Sequence, residues 1–493
     1  MALVPLQIQA GIYRNGTDLQ SQGRWLDSNL IRWTDGTMGP VGGWQQKSLT
    51  AATAAVRGLY SWSDNDLGKY TAAGTYNKLY YYTDAGIQHD ITPAGFTAGR
   101  ESATASTGFG AGSYGLHYYG TERLESTATL PATTWSLDNW GEELVACTPE
   151  DGKIYKWELN SGTPAYQVPN SPVNCLSMFV TEERFLFALG AGGNPRLVQW
   201  SDKEDYTTWT PSATNEAGDI ELQTSGDIMC GLRVRGQSLI LTNVDAHVMS
   251  YLGPPYVYSR ERVGTSCGII SRKAAAVTDL GAVWMGRKAF YSYQGGAVSK
   301  VASEVSDYVF SHINQAQWSK VYATTNSRYA EIWWFYPSDE SVENDSYVVW
   351  NYSENTWSIG SIGRTAAVDH GVYRYPLWAS ADDNHLYEHE VGLDYGGIVP
   401  FAESGPIMIA TGDQIASVVE MIPDEKTQGD VTATFKTRFY PNDEEREYGP
   451  YTMGNPVSVR FSGRQVRMRI EGQTLSNWRV GVNRLDILPG GRR

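Results

Sequence analysis

The sequence predicts a mainly β chain built from repeated antiparallel units, and three observations predict it. The 493 residues include 31 Tyr, 17 Trp and 51 Gly, a composition that favours strands and tight turns over helices. Amphipathic helical stretches are scarce; the best is 301–321, where Val301, Val305, Tyr308, Val309 and Ile313 fall roughly on one face. A short aromatic strand with a polar turn after it recurs seven times. The spacing is mostly roughly 40 to 55 residues, the period of four-stranded propeller blades.

In chain order, residues 1–50 come first and differ in composition from the repeat region. They carry Arg24-Trp25 and Arg32-Trp33 ahead of the turn region "GTMGPVGGW", and they are expected to pack outside the repeats. The recurring strands then begin at Lys78 (KLYYY), Lys153 (KIYKW), Arg196 (RLVQW), His247 (HVMSY), Lys288 (KAFYSY), Tyr347 (YVVWNY) and His385 (HLYEH). Most have an apolar partner about ten residues upstream, as in "RGLYSW" (57–62), "EELVAC" (142–147), "RFLFAL" (184–189) and "AEIWWF" (330–335), so each unit reads as an antiparallel hairpin. Residues 51–397 are therefore read as a β-propeller of six or seven irregular blades. The widest gap holds a Ser/Thr/Gly/Ala-rich stretch, read as a loop insertion near 93–136 or a degenerate blade with a long loop. Beyond Gly397 the strands lengthen and alternate. Val457, Val459 and Phe461, then Val466, Met468 and Ile470, would face one way, which predicts an additional C-terminal β-sandwich-like domain over 398–493.

Charge narrows the function classes. The formal net charge is −15 and the pI about 5.0, so a global basic footprint for nucleic acid is lacking. Such a chain repels DNA more than it holds it. The N-terminal residues lack a basic region leading into a long apolar run, and no apolar stretch approaches a membrane span, so neither a signal peptide nor a membrane span is expected. The four cysteines (Cys147, Cys175, Cys230, Cys267) are far apart and form no C-x-x-C pair; reduced, buried thiols are expected.

Several stretches resemble chemical motifs and are weighed against plainer readings. His385 to His389 spell H-x-x-E-H, a zinc-protease pattern when it lies on a helix. Here the flanking Gly and Asp-Asp turn chemistry and the shared frame with six other strands predict a strand with polar residues outward. The two histidines would then be roughly 13 Å apart, too far to share one metal, with Glu388 on the opposite face. Gly110 to Gly115 match G-x-G-x-x-G but sit in the low-complexity insertion without the strand and helix a dinucleotide needs; a mobile loop is expected. "SDKEDYTTW" (201–209) is a loose cousin of the sialidase Asp box, lacking its glycine and its spacing. Carboxylates are plentiful but no pair stands out, so no catalytic residue, metal or cofactor is assigned. Arginines gather near the C-terminus. Arg464, Arg467 and Arg469 are candidates for a basic docking surface facing an acidic partner; the plainer reading is a solvated face.

Four further stretches carry a resemblance: 196–222, 253–274, 282–314 and 347–360, together with the opening "GIYRNGTDLQSQGRWLDSNLIRWTDGTMGPVGGW". They resemble the tail nozzle proteins of short-tailed bacteriophages, also called tail tubular protein B or packaged-DNA-stabilising tail hub. The resemblance runs thinly through most of the chain and includes no catalytic signature. It implies a non-enzymatic virion protein, made in the host cytoplasm and built into the tail as a homohexameric ring. The ring would extend the DNA channel below the portal and adaptor, retain packaged double-stranded DNA without binding it specifically, conduct it on infection, and anchor fibres or spikes. Loops such as 100–131 would serve as gate elements. The alternative is a carbohydrate-binding or glycoside-cleaving propeller acting in receptor recognition.

Overall fold

The structure is a computed structural model that describes residues 2–105, 129–409, 414–440, 443–472 and 475–492. The Gly110 to Gly115 motif and most of the expected gate loop lie outside the described residues.

Seven four-stranded antiparallel sheets make the larger part of the molecule. Their innermost strands are Gly58–Ser63, Ser136–Trp140, Ser177–Val180, Ile228–Val234, Ala275–Thr278, Tyr322–Asn326 and Arg364–Val368, here blades 1 to 7. Each innermost strand touches the next, and that of blade 7 touches that of blade 1, so the circuit closes as a seven-bladed β-propeller. All seven aromatic segments recognised in the sequence supply the third strand of a blade, from Leu79–Thr83 to Leu386–His389. The period was legible because each third strand is sandwiched between neighbouring sheets and needs bulky rings. Tyr82, Trp157, Phe290 and Tyr347, on the third strands of blades 1, 2, 5 and 6, are among the largest fully buried side chains, and so are Trp284, Trp334 and Trp378 on second strands and Trp357 on a fourth. Trp284, Trp334 and Trp357 each donate the indole N–H to a backbone carbonyl, those of Cys267, Ala274 and Ala302, so the burial leaves none of these three donors unmet. Close approach is needed between innermost strands too: a β-carbon at Gly231 in blade 4 would lie 2.3 Å from the Phe179 ring of blade 3.

Four details sharpen or correct the sequence reading. First, "RGLYSW" is the innermost strand of its blade, not the second; Lys69–Gly74 fills the second place. Second, the helix expected over 301–321 shrinks to Ser306–His312. Val301 is held instead in the fourth strand of blade 5, opposite Phe290, and Asn314 turns the chain by donating its backbone N–H to the Pro337 carbonyl. Third, the insertion contributes no blade among the described residues. It departs and returns as a short ribbon, Thr104–Ala105 against Thr129–Leu130, tied down by a two-pronged Arg100–Glu150 pair and by Gln317, which bonds both backbone groups of Ala103.

Fourth, residues 1–50 do not stay outside the propeller. Trp44–Gln46 forms the outermost strand of blade 7, antiparallel to Leu386–His389, so the ring is closed by strands from both ends of the repeat region. Just upstream, Ile31–Thr34 and Thr37–Pro40 make a hairpin around Asp35-Gly36. Both turn residues have positive φ (50° and 74°), the geometry an Asp-Gly hairpin turn requires.

The remaining strands form a second β unit from both chain ends. A four-stranded sheet joins Ala2–Pro5 to Arg484–Arg492, Gln414–Ile422 and Val457–Gly463. A seven-stranded sheet joins Gln9–Ile12 and Arg24–Asn29 to Phe401–Ser404, Gln465–Gly472, Val431–Arg438 and Arg446–Thr452, with Ile407–Met408 on Gln465–Gly472. The sheets face each other across buried Val459, Phe461, Val466, Met468 and Ile470, as the alternation predicts, with Phe435 stacked on Phe461 at 4.7 Å. Val457 is only partly buried. This core runs without interruption into blades 4 to 6, so the sandwich is continuous with the propeller rather than tethered to it.

Candidate functional site

Arg467 and Arg469 lie on Gln465–Gly472, the strand at the middle of the seven-stranded sheet. Alternation turns Val466, Met468 and Ile470 into the core and the two arginines to the outer face. Their surroundings are acidic. Arg467 donates to both oxygens of Asp18 at 2.6 Å and reaches Glu445 at 3.2 Å. Arg469 pairs with Glu471 at 2.7 Å and Glu403 at 3.4 Å, and its guanidinium covers the Phe401 ring at 3.7 Å. Lys436 Nζ also reaches Glu403, at 2.8 Å, and Arg438 shares Asp18 at 2.5 Å. Four cations therefore meet four carboxylates on one sheet face. Burial pushes the Asp18 carboxyl up, but the hydrogen bonds and charges of Arg438 and Arg467 outweigh it and hold the group below the usual carboxylate range. Arg464 stands apart, at the turn entering the strand, with its guanidinium over the Tyr440 ring at 4.9 Å. The structure thus brings Arg467 and Arg469 together and leaves Arg464 elsewhere. The charge of the pair is largely matched within the chain, with Asp18 brought in from the N-terminal segment.

The H-x-x-E-H stretch is extended, as expected, but its histidines are not outward neighbours. His389 is buried between Trp378 (ring centroids 3.9 Å apart) and Trp44 (5.3 Å), and its Nε2 accepts a hydrogen bond from Arg364 Nε at 2.9 Å. Burial, reinforced by the Arg364 charge, pushes its pKa well below the ordinary histidine value, so it is neutral at pH 7. His385 Nδ1 lies 3.0 Å from Ser48 Oγ, and Glu388 pairs with Lys47 at 3.1 Å. The outward reading of His389 failed because the Trp44 strand, far off in sequence, covers that side. No group of three or more His, Cys, Asp or Glu suited to a metal occurs among the described residues.

A buried charge cluster escaped the sequence reading altogether. Arg32, on the N-terminal hairpin, donates to both oxygens of Glu331 in blade 6 (2.5 and 2.8 Å) and to both of Glu390 at the end of blade 7 (2.7 and 3.3 Å). Its planar face rests on Tyr329 at 3.6 Å. Asn326 and the Gly42 N–H also donate to Glu390, and the Trp333 indole donates to Glu331, so both carboxylates are richly solvated by the protein itself. The sole signal in the sequence is position: an arginine two residues ahead of a Thr-Asp-Gly-Thr turn.

No family model matches the chain, and neither does any curated protein. Among solved structures, it is similar to a streptogramin B lyase (8% identity, covering 70% of this chain and 96% of that one, TM-score 0.41). It is also similar to the β-propeller domain of Myceliophteria thermophila Cps50 (Swd1) (9% identity, 70% and 99%, TM-score 0.40) and to YCF48 bound to D1 peptide (10%, 71% and 97%, TM-score 0.40). At such identities these structures say nothing about function. The propeller assignment rests on the closed circuit of seven sheets.

Proposed function

We propose that this chain is a non-enzymatic tail protein of a short-tailed bacteriophage, a nozzle subunit that assembles with five copies of itself into a ring continuing the DNA channel. The observation that carries the reading is the distribution of the resembling stretches. They coincide with structural units: 196–222 spans the third and fourth strands of blade 3, 253–274 leads from the outer hairpin of blade 4 to blade 5, 282–314 completes blade 5, and 347–360 completes blade 6. The opening stretch covers the sandwich strand Arg24–Asn29, the Arg32 hairpin and the start of the strand that closes blade 7. The surface chemistry supports it. A net charge of −15 agrees with a channel wall that would offer duplex DNA little neutralisation of its phosphates, letting DNA slide rather than stick. The adaptor above and fibres or spikes at the side are the partners this reading requires, and the particle tail is its location.

Light scattering and negative-stain imaging of the purified chain, alone and mixed with the candidate adaptor, test the reading. A sixfold ring with a mass six times 54.5 kDa is expected. A chain that stays monomeric in both settings, and instead binds host glycans, would replace it with the carbohydrate-recognition alternative.

A further inference from the structure

A cavity of about 340 Å³ occupies the propeller axis, lined by the innermost strands of blades 1 to 6. That volume falls in the range of small-molecule sites, about 300–1,000 Å³. Its charges do not balance. Asp138 of blade 2 is the lone carboxylate lining it, and it is already committed: it pairs with Arg233 at 3.0 Å and accepts the Val180 and Asn139 N–H groups at 2.9 Å. Arg272 and Lys273 also line the cavity, at the entry to blade 5. Among the described residues Arg272 donates to the Ile228 and Met229 carbonyls, at 3.3 and 3.1 Å, and these are neutral acceptors. The Lys273 ammonium makes no hydrogen bond or ion pair among the described residues, though its backbone carbonyl is anchored by the Ala323 N–H at 2.7 Å. Two cations without an acidic partner of their own, each partly buried, therefore share one recess inside an acidic protein. Charges withdrawn even partly from water are normally paired, because lost hydration is otherwise left without return.

We infer that the axial cavity is a binding site for a small oxyanion of the phosphate or sulfate class, held by Lys273 and Arg272 with Arg233 at its edge. The cavity is far too small for duplex DNA, so the inference stands apart from the proposed ring channel. A hydroxyl pair completes the lining: Ser136 and Ser177 meet at 2.7 Å, either able to turn its proton inward, while the Tyr60 hydroxyl on the blade 1 side already donates to Asn139 Oδ1. Burial, partly offset by Cys230 and Asp138, pushes the Lys273 ammonium down to about 8, the behaviour of a cation awaiting a counter-charge. The other titratable groups facing it hold their state between pH 7 and 9. Burial pushes the thiol of Cys230 and the hydroxyl of Tyr322 up to about 12, and Tyr60 is pushed higher still. Arg233 and Arg272 stay charged; the Asp138 carboxylate, 3.0 Å from Arg233, is the acidic group on this side.

Isothermal titration of the full chain with inorganic phosphate and with sulfate tests the site. Saturable binding is expected, weakened at least tenfold in Lys273→Met. For sulfate, whose charge is constant in this window, binding should weaken several-fold from pH 7 to 9 as Lys273 deprotonates. A second readout does not depend on the variant folding. Pyridoxal 5′-phosphate carries a phosphate and an aldehyde. The Lys273 amine adds to that aldehyde with loss of water, and borohydride reduces the imine to a stable secondary amine. Peptide mapping should place the label on Lys273, and excess phosphate should suppress it. Equal binding by wild type and Lys273→Met, or labelling spread over surface lysines and indifferent to phosphate, overturns the inference.

Discussion

His389 is closed in by Trp378, Trp44 and the Arg364 guanidinium, so a proton added to it must overcome both lost hydration and a neighbouring positive charge. Its folded pKa is depressed relative to about 6.5 in the unfolded chain. The unfolded state therefore takes up the proton first as pH falls. The contribution to stability is complete above about pH 6.5 and erodes below it, by about 1.4 kcal/mol per pH unit, until the folded pKa is reached. Urea unfolding of wild type and His389→Gln between pH 7.5 and 5 should show the wild type losing more stability on acidification; parallel curves would show that another group governs the slope. Arg32 presents the complementary case. Removing it leaves Glu331 and Glu390 buried and charged without their cation, so Arg32→Met should cost about 3–5 kcal/mol in the same assay. A loss under about 1 kcal/mol would show that the remaining donors suffice.

At the scale of elements, the closing strand of blade 7 separates the structure that periodicity reveals from the structure it hides. Six of the blades complete themselves from consecutive strands, and their hairpins could be read from aromatic and apolar alternation. The seventh borrows Trp44–Gln46, three residues too short to carry a periodic signal. The Arg32 clamp, the Lys47–Glu388 pair and the Tyr395 hydroxyl bonded to the Val41 carbonyl all hold that strand in place. A chain lacking residues 1–50 should therefore lose native near-ultraviolet dichroism and aggregate through the exposed edge of Leu386–His389, as unpaired edges do. If the truncated chain remains soluble with native dichroism, strand closure is dispensable.

For the whole molecule, one core cluster runs from the sandwich into blades 4 to 6. Phe461→Ala in the sandwich and Trp334→Ala in blade 6 should each destabilise one shared unfolding transition, by about 3–5 kcal/mol, measured by tryptophan fluorescence in guanidinium. Two transitions that move independently would mean the sandwich folds alone. Assembly of the proposed ring brings together chains of net charge −15, so the ring fraction should rise from low to physiological ionic strength as repulsion is screened. A fall with salt would mean that ion pairs between subunits dominate.

By itself the sequence determined the β class, the repeat, the place of each third strand and the alternation of the sandwich core. Those are local consequences of side-chain period and of the bulk each packed layer requires, and they are written within about ten residues of one another. Only the tertiary structure decided that there are seven blades, that both chain ends build one sandwich, and that Trp44 covers His389. It also decided that Asp18 meets Arg467 and that Arg272 and Lys273 line one cavity with Tyr60, Ser136, Ser177 and Tyr322 of other blades. Each of these joins residues far apart in the chain. A single sequence carries no periodic trace of such pairs, because their partners are set by how the sheets close around one axis.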